Sequence, residues 1–357
     1  MEKNGRPAYL QIYDQIKEDI VNGTLEYKTK LPSKRFLAEE TKTSTVTVEH
    51  AYALLCDEGY IEARERSGFF VLFCQSDGFS PASALHVAPA PPRMPRNAYP
   101  DFPFSVLSKT MRNILTLYGE GILSRSPGEG CPELRSALVR YLARNRGIHI
   151  CADQIVVGAG AEYLYSLIIE MLGRGRIYGI ESPSYEKIEQ VYRASDARVE
   201  HLSLSHEGID SAALLKTEAT VLHTTPYRSF PSGVTASATK RHEYVRWADG
   251  GDRFIIEDDF ESEFSVSTKP EDTLFSLTRS DNVIYLNTFS KTVSPSLRIG
   301  YMVLPKRLSS VFKEKLGFYS CTVPTYEQLV IASLLDNGDF ERHINRVRRN
   351  MRRALQK

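Results

Sequence analysis

Leu286-Asn287-Thr288-Phe289-Ser290-Lys291-Thr292-Val293-Ser294-Pro295-Ser296-Leu297-Arg298-Ile299-Gly300-Tyr301 is the stretch on which the reading of this chain turns. An apolar, β-rich run from Asn282 to Leu286 empties into a small polar turn that holds one lysine. An arginine follows, and then a second apolar strand. A lysine just past a strand end, among Thr and Ser hydroxyls with an arginine close by, suits a Schiff base beside a phosphate. An isolated Ser-Lys would read as a solvated surface lysine, so the context has to decide.

That context is Arg253-Phe254-Ile255-Ile256-Glu257-Asp258-Asp259-Phe260, a second buried-strand pattern that ends in carboxylates. The order strand, aspartate, strand, lysine resembles the fold-type I pyridoxal-phosphate (PLP) enzymes of the aspartate aminotransferase superfamily. In that family an aspartate pairs with the protonated pyridine nitrogen and a lysine holds the aldehyde as an imine. The resemblance implies those roles for Asp258 and Lys291, with Arg298 on the phosphate.

Composition sets the frame. A chain of 357 residues is expected to hold two domains. No stretch approaches the apolar length of a membrane span, and the N-terminus carries no apolar signal region, so a cytoplasmic protein is expected. The five cysteines are scattered without CxxC spacing, which speaks against a disulfide framework or a zinc site; no metal is expected. A net charge of +1 supplies no global attraction for nucleic acid, so any such case is local.

Residues 1–73 read as a winged helix-turn-helix. Ala8 to Val21 is amphipathic, with Leu10, Ile12, Tyr13, Ile16 and Ile20 mostly on one face and Asn22-Gly23 as a stop. Ser33 caps a short second helix whose apolar face is Phe36 and Leu37, and Ser44 caps a third that runs to Glu58. The inward face of the third is expected to be Val46, Val48, Ala51, Leu54 and Leu55. Two alternating runs around Arg64-Glu65-Arg66-Ser67 form a hairpin. The motifs LPSKRFLAEE, TSTVTVEHAYALLCDEGYIEA and RSGFFV resemble the GntR family of bacterial regulators. That resemblance implies DNA binding, with the third helix in the major groove. Ser44, Thr45, Thr47 and His50 would face DNA, with Ser33 beside them, and Lys34 and Arg35 would contact phosphate or minor groove. Arg64, Arg66 and Ser67 of the wing would meet phosphate or minor groove. Thr45 stands where family members often carry arginine, and Glu49 where another basic residue is common. Residues 1–75 hold 10 basic and 12 acidic side chains, a net of −2. Binding by one copy is therefore expected to be weak, and a homodimer that reads two half-sites is expected to repair it.

Residues 74–103 are Pro-rich and aperiodic and read as a tether. From 104 to 357 helices alternate with apolar strands, the pattern of an α/β, mostly parallel sheet with helices on both faces. Gln154 to Val157 is a strand, and Gly158-Ala159-Gly160 turns it straight into a helix, an arrangement suited to an anion. Its match to the family's phosphate loop implies backbone contacts from Ala159, Gly160 and Ala161. Thr288 and Ser290 would add hydroxyls. Tyr185, after Ser182-Pro183, is the aromatic the resemblance places on the pyridine ring.

Two positions depart from the enzymes. Phe230 stands where they have an asparagine, and Phe260 where relatives present a tyrosine hydroxyl, both toward the cofactor's phenolic oxygen. A site that forms an imine but is poorly tuned for turnover is the expectation. Family members also continue past the last helix into a C-terminal small domain that holds an arginine for a substrate's carboxylate. This chain stops at Lys357, so the expectation is either a piece of a longer protein or a protein in which that domain is missing. The Arg-rich stretch from Phe340 to Ala354 reads as a solvated helix face, with contact to DNA as the alternative. A GntR-type winged helix joined to an aminotransferase-like domain resembles the MocR-type regulators over nearly the whole chain. The implied function is PLP-dependent control of transcription, with an amino compound or PLP itself as effector. A working aminotransferase with an appended DNA-binding module is the alternative, and a regulator that has lost PLP is a third.

Overall fold

The computed structural model describes residues 7–74, 102–267 and 272–355. The chain divides into two units, Met1–Met94 and Pro95–Lys357. The tether expected at 74–103 falls, apart from its ends, outside the described residues.

The first unit has three helices, α1 (Ala8–Val21), α2 (Lys34–Glu40) and α3 (Thr45–Asp57). An antiparallel hairpin follows, β1 (Ile61–Arg64) and β2 (Gly68–Val71), with Ile61 opposite Val71. Ser33 Oγ accepts from the Phe36 amide (3.2 Å) and Ser44 Oγ from the Thr47 amide (3.1 Å), so each serine satisfies an otherwise orphan donor at a helix start. Ile12, Tyr13, Ile16 and Ile20 of α1 meet Val48, Ala51, Tyr52 and Leu55 of α3 in one core.

Two expectations about that core are corrected. Val46 is 67% exposed and Phe36 60% exposed. Inward residues of α3 are set by Val48 and recur at 51, 52 and 55; Val46, two places before Val48, lies about 200° around the helix from it. In α2 the buried residue is Ala38, with Leu37 half-buried. Tyr52, outside the expected inward set, is fully buried because its hydroxyl finds the Pro32 carbonyl (2.9 Å).

The second unit opens with α4 (Phe104–Tyr118) and α5 (Pro132–Arg146). It then alternates through β3 (Ile155–Gly158), α6 (Ala161–Leu172), β4 (Ile177–Ser182), α7 (Glu186–Ala194), β5 (Arg198–Ser205) and β6 (Gly208–Ile209). Next come α8 (Ser211–Lys216), β7 (Val221–Thr224), α9 (Ala238–Asp249), β8 (Phe254–Asp258), α10 (Leu274–Leu277), β9 (Val283–Thr288) and β10 (Gly300–Val303). Three helices close it, α11 (Lys306–Leu316), α12 (Thr325–Asp336) and α13 (Asp339–Leu355). The sheet runs β3-β10-β9-β8-β7-β4-β5-β6, with β5, β4, β7, β8 and β9 parallel and β10 antiparallel to both neighbours.

Both faces of this sheet are covered, which is why its strands read as unbroken apolar runs. Alternate residues go to opposite layers. Ile155, Val157, Tyr285, Tyr301 and Val303 pack with α5, α12 and α13. Val156, Ile256, Ile284, Leu286 and Met302 pack with α6, α7 and α11. No helix among the described residues is long and apolar enough to cross a membrane.

Candidate functional site

The parallel strands end on one edge, where ligands gather in open α/β sheets. Strand β8 delivers Asp258 there, paired in register with Leu286 of β9, and β9 delivers Thr288 and the turn with Ser290 and Lys291. These residues line a cleft of ≈ 320 Å³ together with Gly160, Ala161, Tyr185 and Arg298.

Lys291 is about one-fifth exposed, and its Nζ lies 2.5 Å from Glu261 Oε1. The Phe260 ring centre lies 3.9 Å from the same nitrogen. Arg228 Nε stands 3.8 Å from Glu261 Oε2, so the carboxylate lies between two cations. Phe230 and Phe260 both line the cleft and present rings there, with no hydrogen-bonding group.

Asp258 is 2% exposed. The Tyr165 hydroxyl, from the second turn of α6, donates to its Oδ2. Burial and the neighbouring Asp258 carboxylate hold the Tyr165 phenol far above its ordinary range, so it keeps the proton it donates. His223 Nε2 lies 3.6 Å from the same oxygen, and its Nδ1 is 2.5 Å from the Tyr192 hydroxyl. Both contacts fall on Oδ2. Asp258 Oδ1 is buried without a hydrogen-bond partner among the described residues. A buried acceptor left unmet is costly, and it fits a ligand's N–H.

The turn before α6 forms the opposite wall. Gly160 is the N-cap at φ 88°, a conformation glycine tolerates, and no side chain caps the helix. A Cβ there would sit 3.3 Å from Arg298 Nη2, so the glycine also leaves room for the guanidinium. The three expected backbone contacts are not equivalent. The Ala159 amide donates to Thr322 Oγ1 (3.1 Å), and Ala159 does not line the cleft. The Gly160 amide donates to the Gly158 carbonyl (2.8 Å). Ala161 begins the helix and faces the cleft with the first-turn dipole. Arg298 Nη2 is 2.8 Å from Glu162 Oε2, and Lys187 Nζ is 3.2 Å from Glu162 Oε1. Partial burial pushes the Glu162 carboxyl up, but Arg298 and Lys187 outweigh it and hold it below the usual carboxylate range. Tyr185, 38% exposed, lies edge-on to Phe230 with ring centres 6.0 Å apart.

Sequence reasoning missed Glu261, Glu162, Tyr165 and His223. The signal for Tyr165 was available: it lies four residues after Ala161, on the face that returns to the strand ends. Nothing local marks Glu261 as the partner of Lys291, since the two are 30 residues apart.

In the first unit Ser33, Lys34, Arg35, Thr45, Arg66 and Ser67 line one hollow beside the hairpin. Ser44, Thr47, His50 and Arg64 lie outside it. The Arg64 guanidinium is held over the Phe70 ring at 4.6 Å and by Glu62 at 2.5 Å. Lys34 Nζ is 2.6 Å from Glu49 Oε1. An exposed pair of this kind is weak, yet it places a carboxylate where a phosphate would compete for Lys34. Glu49→Ala is therefore expected to tighten binding to any duplex and steepen its salt dependence by about one ion, while Arg35→Ala weakens binding and flattens the slope by about one. Anisotropy titrations across a salt series check both; parallel slopes in all three proteins would remove these residues from the phosphate contacts.

Residues 8–71 match the family described as bacterial regulatory proteins, gntR family, and residues 94–357 match aminotransferase class I and II. The chain is 33% identical over 360 residues to the uncharacterized HTH-type transcriptional regulator YdeL of Bacillus subtilis, an alignment covering 97% of this chain and 77% of YdeL. It is 28% identical to the probable rhizopine catabolism regulatory protein MocR of Rhizobium meliloti, over 96% of this chain and 74% of that protein. It is 27% identical to the pyridoxine biosynthesis transcriptional regulator PdxR of Corynebacterium glutamicum, over 95% and 75%. Among solved structures, kynurenine aminotransferase of Pyrococcus horikoshii, in complex with PMP, superposes with a TM-score of 0.64 at 26% identity, covering 71% of this chain and 66% of that one.

Proposed function

This chain belongs to the MocR-type branch of the GntR family, a winged helix-turn-helix joined to an aminotransferase class I and II domain, and from that premise we propose that it is a transcription regulator whose second unit senses an amino compound or PLP through Lys291. Pyridoxal 5′-phosphate, when bound, supplies an aldehyde that condenses with a primary amine. Lys291 would provide that amine. Asp258, held by the Tyr165 hydroxyl, would accept the ring N–H on Oδ1. Ala161, Thr288, Ser290 and Arg298 would hold the phosphate, with Gly160 giving the guanidinium its room, and Tyr185 would cover the ring. Ser33, Lys34, Arg35, Ser44, Thr45, Thr47, His50, Arg64, Arg66 and Ser67 would face promoter DNA, in a homodimer that presents two such units.

The observation that carries this reading is the unmet Asp258 Oδ1 and the Lys291 amine on one cleft. Phe230 and Phe260 support a sensing role over turnover, because neither offers a proton or a hydrogen bond to a reacting centre. An effector moves the protein between two DNA-binding states only if it binds them differently. The expected result is a duplex affinity that shifts severalfold when PLP, or PLP with an amino acid, is added. An affinity unchanged by either would remove the sensing role, and sustained multiple turnover of amino acid with keto acid would favour an enzyme instead.

A further inference from the structure

The polar side chains at the start of α3 are exposed or half-exposed, and most are already engaged by neighbouring groups. Ser44 Oγ caps the Thr47 amide and shares a hydrogen bond with Thr47 Oγ1 (2.8 Å). Glu49 is held by Lys34, and the His50 ring centre lies 5.3 Å from that of Tyr9. Thr45 and Val46 are turned outward, and Val46 exposes two-thirds of its surface. A lone exposed valine is ordinary on a protein surface. This one occupies the helix start that approaches base edges in a helix-turn-helix, where it adds nothing to the core. No arginine or lysine stands in the same turn, so the paired hydrogen bonds those residues make to guanine are not on offer there. The apolar group that a base pair shows in the major groove is the C5 methyl of thymine.

We propose that Val46 reads a thymine methyl in each half-site of the DNA this chain binds. The inference rests on the reading that α3 enters the major groove. Methyl packed on methyl removes apolar surface from water and favours T·A at one position per half-site, and it adds nothing to the salt dependence.

The test uses the full chain and a randomised duplex pool at fixed salt. The tightest duplex is recovered, and each thymine is replaced in turn by deoxyuridine, which removes the methyl alone. One thymine per half-site is expected to lose about fourfold in affinity on replacement, and roughly tenfold or more when both half-sites are changed. In Val46→Ser the same replacement is expected to cost nothing, while other positions keep their effects. A selected duplex in which every replacement is neutral, or whose penalty persists in Val46→Ser, would overturn the role of Val46 and leave DNA binding intact. A pool that yields no preferred duplex would overturn the DNA reading, and this inference with it.

Discussion

Lys291→Ala, mixed with pyridoxal 5′-phosphate and borohydride, is expected to yield no reduced adduct and no visible band, where the unsubstituted protein yields one adduct on the peptide containing position 291. The side chain sits in a turn after β9, where it pairs with Glu261 and lies over the face of Phe260. Glu261 keeps Arg228 as a second cation when Lys291 is removed, so the variant is expected to fold. Loss of the adduct would then report chemistry and not collapse. Lys291→Arg is the stricter control. It keeps a cation for Glu261, but a guanidinium stays protonated at neutral pH and does not condense with an aldehyde. An unchanged band in either variant, or an adduct that maps to another lysine, would end the assignment of Lys291.

Arg146→Ala is expected to lower the stability of the second unit by about 3–5 kcal/mol. Arg146 closes α5 and is buried; its Nη2 lies 3.3 Å from Asp259 Oδ2 and 3.5 Å from Glu263 Oε1, and it donates to Ser262 Oγ. Asp259 also accepts from the Tyr285 hydroxyl (2.7 Å), and the buried Glu257 accepts from the amides of Leu274 (2.8 Å) and Phe275 (2.9 Å). Without the guanidinium, Asp259 and Glu263 lose the cation paired with them inside the protein. For a unit of this size the melting temperature should fall by roughly 10 °C.

The loss has a pH signature. Burial pushes both Glu257 and Asp259 above the ordinary carboxylate range, and Arg146 opposes that push. A carboxyl raised in the folded state stabilises fully below its unfolded pKa, and that stability is lost as pH rises through the folded value. The parent should therefore weaken as pH climbs above the usual carboxylate range, and Arg146→Ala should weaken more steeply. Melting curves at pH 5 and pH 8 check this; an equal deficit at both would show that the charge cluster is not the cause. The end of β8 also carries Asp258, so a loosened Asp259 is expected to weaken PLP retention as well.

Much of the architecture was open to reading along the chain. The spacing of apolar residues placed α1 at Ala8–Val21, and unbroken apolar runs marked strands covered on both sides. The order of an acidic strand end and a lysine-bearing turn resembles the fold-type I PLP enzymes, and that resemblance singled out Asp258 and Lys291, which the sheet brings to one edge. The helix and the strands follow from local sterics and from which residues avoid water.

Other features needed the folded chain. Glu257, Asp258 and Asp259 are three adjacent carboxylates, yet strand alternation sends Asp258 to the layer of Tyr165 and its two neighbours to that of Arg146. Val46 looked like core until Val48 set the inward direction of α3 and turned it to solvent. The partners of the reactive groups, Glu261 for Lys291 and Glu162 for Arg298, come from segments far apart in sequence. Periodicity carries only the direction of a side chain relative to its own element; which charge it meets depends on how the elements pack, and that is decided only when the sheet has assembled.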